Sequence, residues 1–164
     1  IRKAGFALSP PEYVSLTDNQ EAKNPTFSQL IAFLYNDPTD DEYYSILSFN
    51  CTGFAEMLHN NAEAAGIKAA FVAVYFEGED TGHALNAFVT SDKGLVYVDC
   101  TGEGLGWYGY TIEYDGIAHV FKGEEYRRWS INKYTFVNYR YYEPYRQTSD
   151  WEEMGIVESI KIYW

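Results

Sequence analysis

The chain changes its hydrophobic period once, at Gly66, and this change constrains the fold more than any other feature. Before Gly66, apolar residues recur at helical spacing. After it they fall into short runs rich in Val, Phe and Tyr, bounded by Gly and Asp. Helices first and strands afterwards predict an α+β fold, with N-terminal helices packed on an antiparallel sheet. A length of 164 residues suits one domain spanning the whole chain, large enough to hold a core without staples.

Turn signals fill residues 1–25: Ser9-Pro10-Pro11, Asp18-Asn19 and Asn24-Pro25. Thr26 and Gln29 form a capping box, and Phe27, Leu30, Ile31 and Leu34 continue a short helix to about Asn36. Asp37-Pro38 stops it, because proline disfavours helical backbone just before itself. Thr39-Asp40-Asp41-Glu42 reads as a second capping box opening a short helix. Its acids suit the helix dipole better than a calcium site, since the alternating oxygen ligands and the Gly of such loops are missing. A longer helix runs from about Cys51 to Ala65, with Asn50 as N-cap, Phe54, Leu58, Ala62 and Ala65 on one stripe, and Gly66 at the left-handed C-cap.

Ala70–Phe76, Ala84–Thr90 and Leu95–Cys100 read as strands, the last two joined by a hairpin turn at Ser91–Gly94. Thr101–Gly109 reads as a Gly-rich loop, without the Gly-Lys-Ser/Thr of a phosphate loop. Further strands are expected at Ile117–Phe121 and within 132–146. A third capping box stands at Ser149–Glu152, and a half-buried strand at Ile160, Ile162 and Trp164.

A net charge of −12 leaves no basic footprint, so nucleic acid and acidic membrane surfaces are not expected partners. The 46% hydrophobic fraction argues against disorder. No apolar run is long enough to insert in a membrane. The chain begins at Ile1 with neither an initiator Met nor a signal-peptide pattern, which reads as a processed protein or excised domain and fits an extracytoplasmic or cell-surface setting. Nothing in the composition fixes an oligomeric state. The aromatic stretch Trp107–Tyr145 is read as sheet packing ahead of a ligand groove.

Three residues stand where chemistry would need them. Cys51 heads a helix, where partial positive charge and unpaired N–H groups favour a thiolate and can hold an oxyanion. His83 begins one strand and Asp99 ends the next. With a turn at Ser91–Gly94 the partner of residue n is roughly 185 − n, which sets Asp99 against Asn86. A slip of one or two residues brings Asp99 beside His83, where an acid fixes the imidazole tautomer. Taken singly, each has a plainer reading: Cys51 a small buried hydrophobe, His83 an ordinary hydrogen-bonded histidine, Asp99 a strand-end carboxylate. The combination points to nucleophilic catalysis. His59 lies off the apolar stripe and reads as solvated, and His119 as structural. Cys100 alternates with Asp99 and should point into packing, which disfavours a Cys51–Cys100 disulfide. No ligand spacing supports a metal site, and no cofactor is called for.

The segments FNCTGFAEMLHNNAEAAGIKAAFVAVYF, GHALNAFVT and GLVYVDCTG resemble the transglutaminase-like superfamily of papain-type thiol enzymes. The matching features are a Cys opening a small-residue helix that ends in Gly-Ile, a strand, a His-Ala pair and a strand ending in Asp-x-Thr. They fall on Cys51, Gly66-Ile67, Phe71–Phe76, His83-Ala84 and Asp99-Cys100-Thr101, within residues 46–102. The chain departs from the family pattern at Leu85, where many members carry an aromatic residue, and at Lys68-Ala69-Ala70, where many carry Arg. The resemblance implies a papain-like core with Cys51 as nucleophile, His83 as general base and acid, and Asp99 as orienting acid. It also implies an upstream oxyanion side chain, for which Gln29, Tyr43, Tyr44 and Asn50 are candidates. The expected activity is thiol-dependent acyl transfer on the amide bonds of a peptide or protein substrate. Hydrolysis is favoured over cross-linking because water is always present and no amine-acceptor site is evident. The alternative is a non-catalytic binding or structural module of a larger cell-surface protein.

Overall fold

A computed structural model describes residues 14–42, 50–105, 111–130 and 154–164. Helix α1 (Phe27–Asn36) opens with the expected capping box: the Thr26 hydroxyl accepts from the Gln29 N–H at 3.2 Å, and Gln29 Oε1 accepts from the Thr26 N–H at 2.8 Å. A second cap comes from the distant hairpin, where Asp92 Oδ1 accepts from the Phe27 N–H at 2.7 Å. Phe27, Leu30, Ile31 and Leu34 are the buried stripe.

The second capping box does not form. Thr39–Asp41 is a single 3-10 turn whose N-cap is Pro38, with no side-chain cap. Asp37 takes that role from outside, its Oδ1 accepting from the Thr39 N–H at 3.0 Å, and Thr39 itself is fully buried. A carboxylate ahead of the proline reaches the first free amide, so Thr39 is drawn inward instead of capping.

Helix α2 (Cys51–Ala64) starts at Asn50, whose side chain accepts from the Thr52 N–H at 3.1 Å. It ends in a Schellman motif. Gly66, at φ +79°, donates to the Glu63 carbonyl at 3.0 Å, and Ile67 donates to the Ala62 carbonyl at 2.9 Å. His59 was expected in solvent and is instead completely buried, because residues 14–19 lie along that side of α2 and Asp18 comes within 3.5 Å of the ring.

Among the described residues the strands are β1 (Ala70–Phe76), β2 (Gly82–Thr90), β3 (Gly94–Leu105), β4 (Thr111–His119), β5 (Arg127–Ser130) and β6 (Val157–Tyr163). They form one six-stranded sheet in the order β5-β4-β3-β2-β1-β6, with every pair antiparallel. The α+β class is therefore observed. The expected Gly-rich loop at Thr101–Gly109 is in its first half strand: Gly102–Leu105 pair with Tyr114–Thr111 after a register shift between Asp99 and Gly102. Glycines tolerate such a bulge while the ladder continues. β4 consequently begins earlier than Ile117 and ends at His119, with Phe121 beyond it and 54% exposed. β5, opening with Arg127-Arg128, carries no hydrophobic alternation and was not expected. Charges of this kind suit an edge strand. The strand expected within 132–146 and the capping box at Ser149–Glu152 lie outside the described residues.

The sheet has two apolar faces. Phe88, Val96, Val98, Cys100 and Ile117 pack against α1 and α2. Val72, Val74, Leu85, Ala87, Ala118, Val120, Tyr126 and Val157 pack together on the other face. That second face closes on itself, because the segment before β5 meets the segment before β6. Gly123 donates to Val157 at 2.8 Å, Val157 to Glu124 at 2.8 Å, and Tyr126 to Gly155 at 3.0 Å. The two ends of the sheet are thereby joined, which carries Tyr126 across to the β2–β3 region. Each fully buried phenylalanine of the core, Phe54, Phe71 and Phe88, contributes roughly 1.5–3 kcal/mol of burial. Among the described residues no helix is long and apolar enough to cross a membrane.

Candidate active site

The hairpin register differs from expectation by one residue. Thr90 faces Gly94 and Asn86 faces Val98, so partners sum to 184 and the loop is Ser91-Asp92-Lys93, closed by Gly94 at φ +75°. Three-residue hairpins commonly end on a left-handed residue, and glycine adopts that conformation without strain. Because side chains alternate, the shift moves Asp99 from the face of Asn86 to the face shared by Leu85 and His83. The β2–β3 ladder stops at Asn86–Val98. Just past its end, His83 Nε2 and Asp99 Oδ2 lie 2.7 Å apart.

Asp99 is fully buried and fully engaged. Oδ2 also accepts from the Tyr126 hydroxyl. Oδ1 accepts from the Thr101 N–H at 3.0 Å and from the Thr101 hydroxyl, and Arg128 Nη1 stands 3.3 Å away. These contacts use the carboxylate's whole acceptor capacity. Burial alone would raise its pKa. The charges of His83 and Arg128 and the hydrogen bonds from His83 and Thr101 outweigh burial and hold the carboxyl well below the usual range. His83 shows the complementary balance. Burial lowers it, the charge and hydrogen bond of Asp99 raise it, Cys51 adds in the same direction, and the result is pushed up to about 10. His83 is therefore an imidazolium through the neutral range. Tyr126 is driven upward, by burial first and by Asp99 next, so it remains a neutral donor.

Cys51 is completely buried at the head of α2, in a cluster with Ala55, Phe71 and Ala84. Among the described residues His83 Nδ1 has no partner in full hydrogen-bond geometry. The sulfur that acts on the ring is thus farther away or less well aligned than Asp99. Both cysteines are free. Cys100 points to the helix face, where its thiol donates to the Phe54 carbonyl at 3.8 Å. Burial, then Asp115 and Asp99, pushes that thiol well above its ordinary pKa.

Of the oxyanion candidates, Gln29 is anchored at the head of α1, where its Oε1 accepts from the Thr26 N–H, and Asn50 at the head of α2, where its Oδ1 accepts from the Thr52 N–H. Tyr43 and Tyr44 lie outside the described residues. His119 is about a third exposed and pairs with Glu124 at 2.6 Å, on the surface and not in the core. Among the described residues no three His, Cys, Asp or Glu side chains are arranged to hold a metal ion.

Thr101, Tyr126 and Arg128 were not assigned roles from sequence. Thr101 falls inside the quoted Asp-Cys-Thr motif and was legible there. Tyr126 and Arg128 arrive through strand closure and an edge strand, for which no local pattern exists. Gly116 makes the Arg128 contact possible. It faces Asp99 across β3–β4, and a Cβ built on it would lie 2.4–2.6 Å from the Arg128 side chain. Gly116→Ala is therefore expected to displace Arg128 from Asp99 and to cost roughly 1–3 kcal/mol as an overpacked site. Chemical denaturation at neutral pH measures the loss, and an acid titration should show Asp99 protonating at higher pH than in the parent protein.

No protein-family model, curated protein or solved structure matches the chain.

Proposed function

We propose that the protein is a thiol-dependent acyl-transfer enzyme of the transglutaminase-like, papain-type kind, hydrolysing amide bonds of a peptide or protein substrate. The observation that carries the reading is the buried 2.7 Å His83–Asp99 bond on an imidazole that Cys51 also influences. With Nε2 given to Asp99, Nδ1 is left to serve the sulfur. A protonated His83 stands ready as the proton donor of the reaction.

Thiolate attack on the substrate carbonyl forms the C–S bond and an oxyanion, to which the Cys51 backbone N–H at the head of α2 is assigned. The C–N bond then breaks, and the His83 proton passes to the leaving amine, giving a thioester and neutral His83. Water attacks the thioester while His83 takes its proton. Loss of the carboxylic product restores thiolate and imidazolium. Asp99 holds the ring in orientation and stabilises its charge throughout. No cofactor enters the sequence of steps.

The complete burial of Cys51 favours a second reading, a non-catalytic binding or structural module. Turnover separates the two. A panel of fluorogenic peptide amides should be cleaved by the native protein, and Cys51→Ala should lose that activity entirely. Equal rates for the two proteins would refute the enzyme reading.

A further inference from the structure

Cys51 is sealed although it stands at a helix terminus, and a segment with an unusual mode of attachment packs on its cluster. Residues 14–17 alternate in exposure, with Val14 and Leu16 half-buried and Ser15 and Thr17 exposed. Val14 and Leu16 lie, together with Tyr163, against the cluster of Cys51, Ala55, Phe71 and Ala84. Among the described residues, side chains and a carbonyl of α2 hold the backbone and side chains of this segment, and no strand of the sheet pairs with it. Asn60 grips it on both sides: Nδ2 donates to the Ser15 carbonyl at 2.9 Å, and Oδ1 accepts from the Thr17 N–H at 2.8 Å. Glu63 repeats the device one turn on. Its Oε2 accepts from the Asn19 N–H at 2.9 Å, and its carbonyl accepts from the Asn19 side-chain amide at 2.9 Å.

An amide that accepts from one backbone N–H and donates to a carbonyl two residues away satisfies an extended chain much as a neighbouring strand would. This recognises backbone without regard to sequence, while the alternate apolar side chains fill the seat beneath. An attachment made of a few side-chain bonds and two half-buried residues opens locally at far lower cost than the sheet does.

We propose that residues 14–19 are a displaceable strap. They occupy an extended-chain docking surface on α2 and close Cys51 to reagents and to substrate until they swing away. The inference rests on Cys51 being the reactive thiol of the proposed function, but it is tested without turnover.

The test is alkylation of the full-length folded protein by iodoacetamide, with each cysteine followed by mass spectrometry. Cys100, buried in the core between α2 and the sheet, reports general loosening. Asn60→Ala removes both grips on Ser15 and Thr17, and Leu16→Ser weakens the apolar seat. Each variant should raise the Cys51 labelling rate by about tenfold or more, with Cys100 unchanged. A peptide copying residues 14–19, added in trans to Asn60→Glu as a control and to Leu16→Ser, should slow labelling only in the latter, where Asn60 is intact. Equal acceleration of both cysteines would overturn the proposal, because the segment would then be part of the cooperative core. Unchanged labelling of Cys51 in both variants would overturn it too, because something else would cover the thiol. Fast Cys51 labelling with no amide turnover would leave the strap standing and remove the enzyme reading alone.

Discussion

Asp99→Asn should lower stability by roughly 3–5 kcal/mol, the usual cost of stranding a buried charge. The neutral amide takes the counter-charge away from the buried His83 and withdraws a carboxylate from beside Arg128. It also places an NH2 group where donors from His83, Thr101, Arg128 and Tyr126 converge. For a chain of this size the melting temperature should fall by about 10 °C.

The loss also has a pH signature. Asp99 is lowered in the fold, so its contribution is present above the unfolded carboxyl pKa of about 3.9 and disappears as pH falls below it. His83 is raised to about 10, so its contribution is complete below 6.5 and fades as pH climbs from there through 10. The two shifts describe one ion pair and are not added. The gap between parent and variant should be widest between about pH 4 and 6.5 and narrow on both sides. Urea denaturation across that range measures it. A gap that does not vary with pH would mean that the pair is not ionised as described.

His83→Ala should act on chemistry more than on the fold. Asp99 keeps Arg128, Tyr126 and Thr101 when the imidazole is removed, so its negative charge is not stranded. Acyl transfer, in contrast, loses both the proton donor for the leaving amine and the cation beside the sulfur. A reduction of about 10²–10⁴-fold is expected from the acid–base contribution. The pair of variants therefore separates two roles. Asp99→Asn should damage stability and activity together, and His83→Ala mainly activity. The readouts are kcat and melting temperature for each. Restoring partial activity to His83→Ala with imidazole in solution would further tie the loss to proton transfer and not to packing.

How much of this was legible in the sequence follows from where each signal resides. The helices were readable because their determinants are local. Thr26 and Gln29 cap α1, Asn50 caps α2, and Gly66 takes the one backbone conformation that ends it. The β2–β3 hairpin was readable for the same reason, but its register was not. One residue of loop length decides whether Asp99 shares a face with Asn86 or with His83, and Thr90 facing Gly94 instead of Leu95 makes the difference. The acid–imidazole pair was therefore suggested by order and spacing, and its geometry required the fold.

Non-local features stayed hidden. The 3-10 turn at Thr39 depended on a carboxylate two residues away competing for the same amide. His59 looked exposed on a helical wheel and is covered by a segment forty residues distant in sequence, which periodicity cannot register. Tyr126 and Arg128 reach Asp99 only because the ends of the sheet meet and because Gly116 leaves room for the guanidinium. Supporting groups of this kind hold a reactive constellation in place, yet they come from elements whose own sequence obeys only local rules.

The central claim is that Cys51, His83 and Asp99 form one acyl-transfer unit, and a covalent intermediate tests it most directly. The native protein, and Asn60→Ala with its strap loosened, would be mixed with an activated ester such as p-nitrophenyl acetate and quenched in acid. The acyl group would then be located by mass spectrometry. The account predicts a thioester on Cys51, none on Cys100, and a yield at short times that falls by about 100-fold or more in His83→Ala. Acylation spread over both cysteines, or acylation of Cys51 that is indifferent to His83, would contradict it.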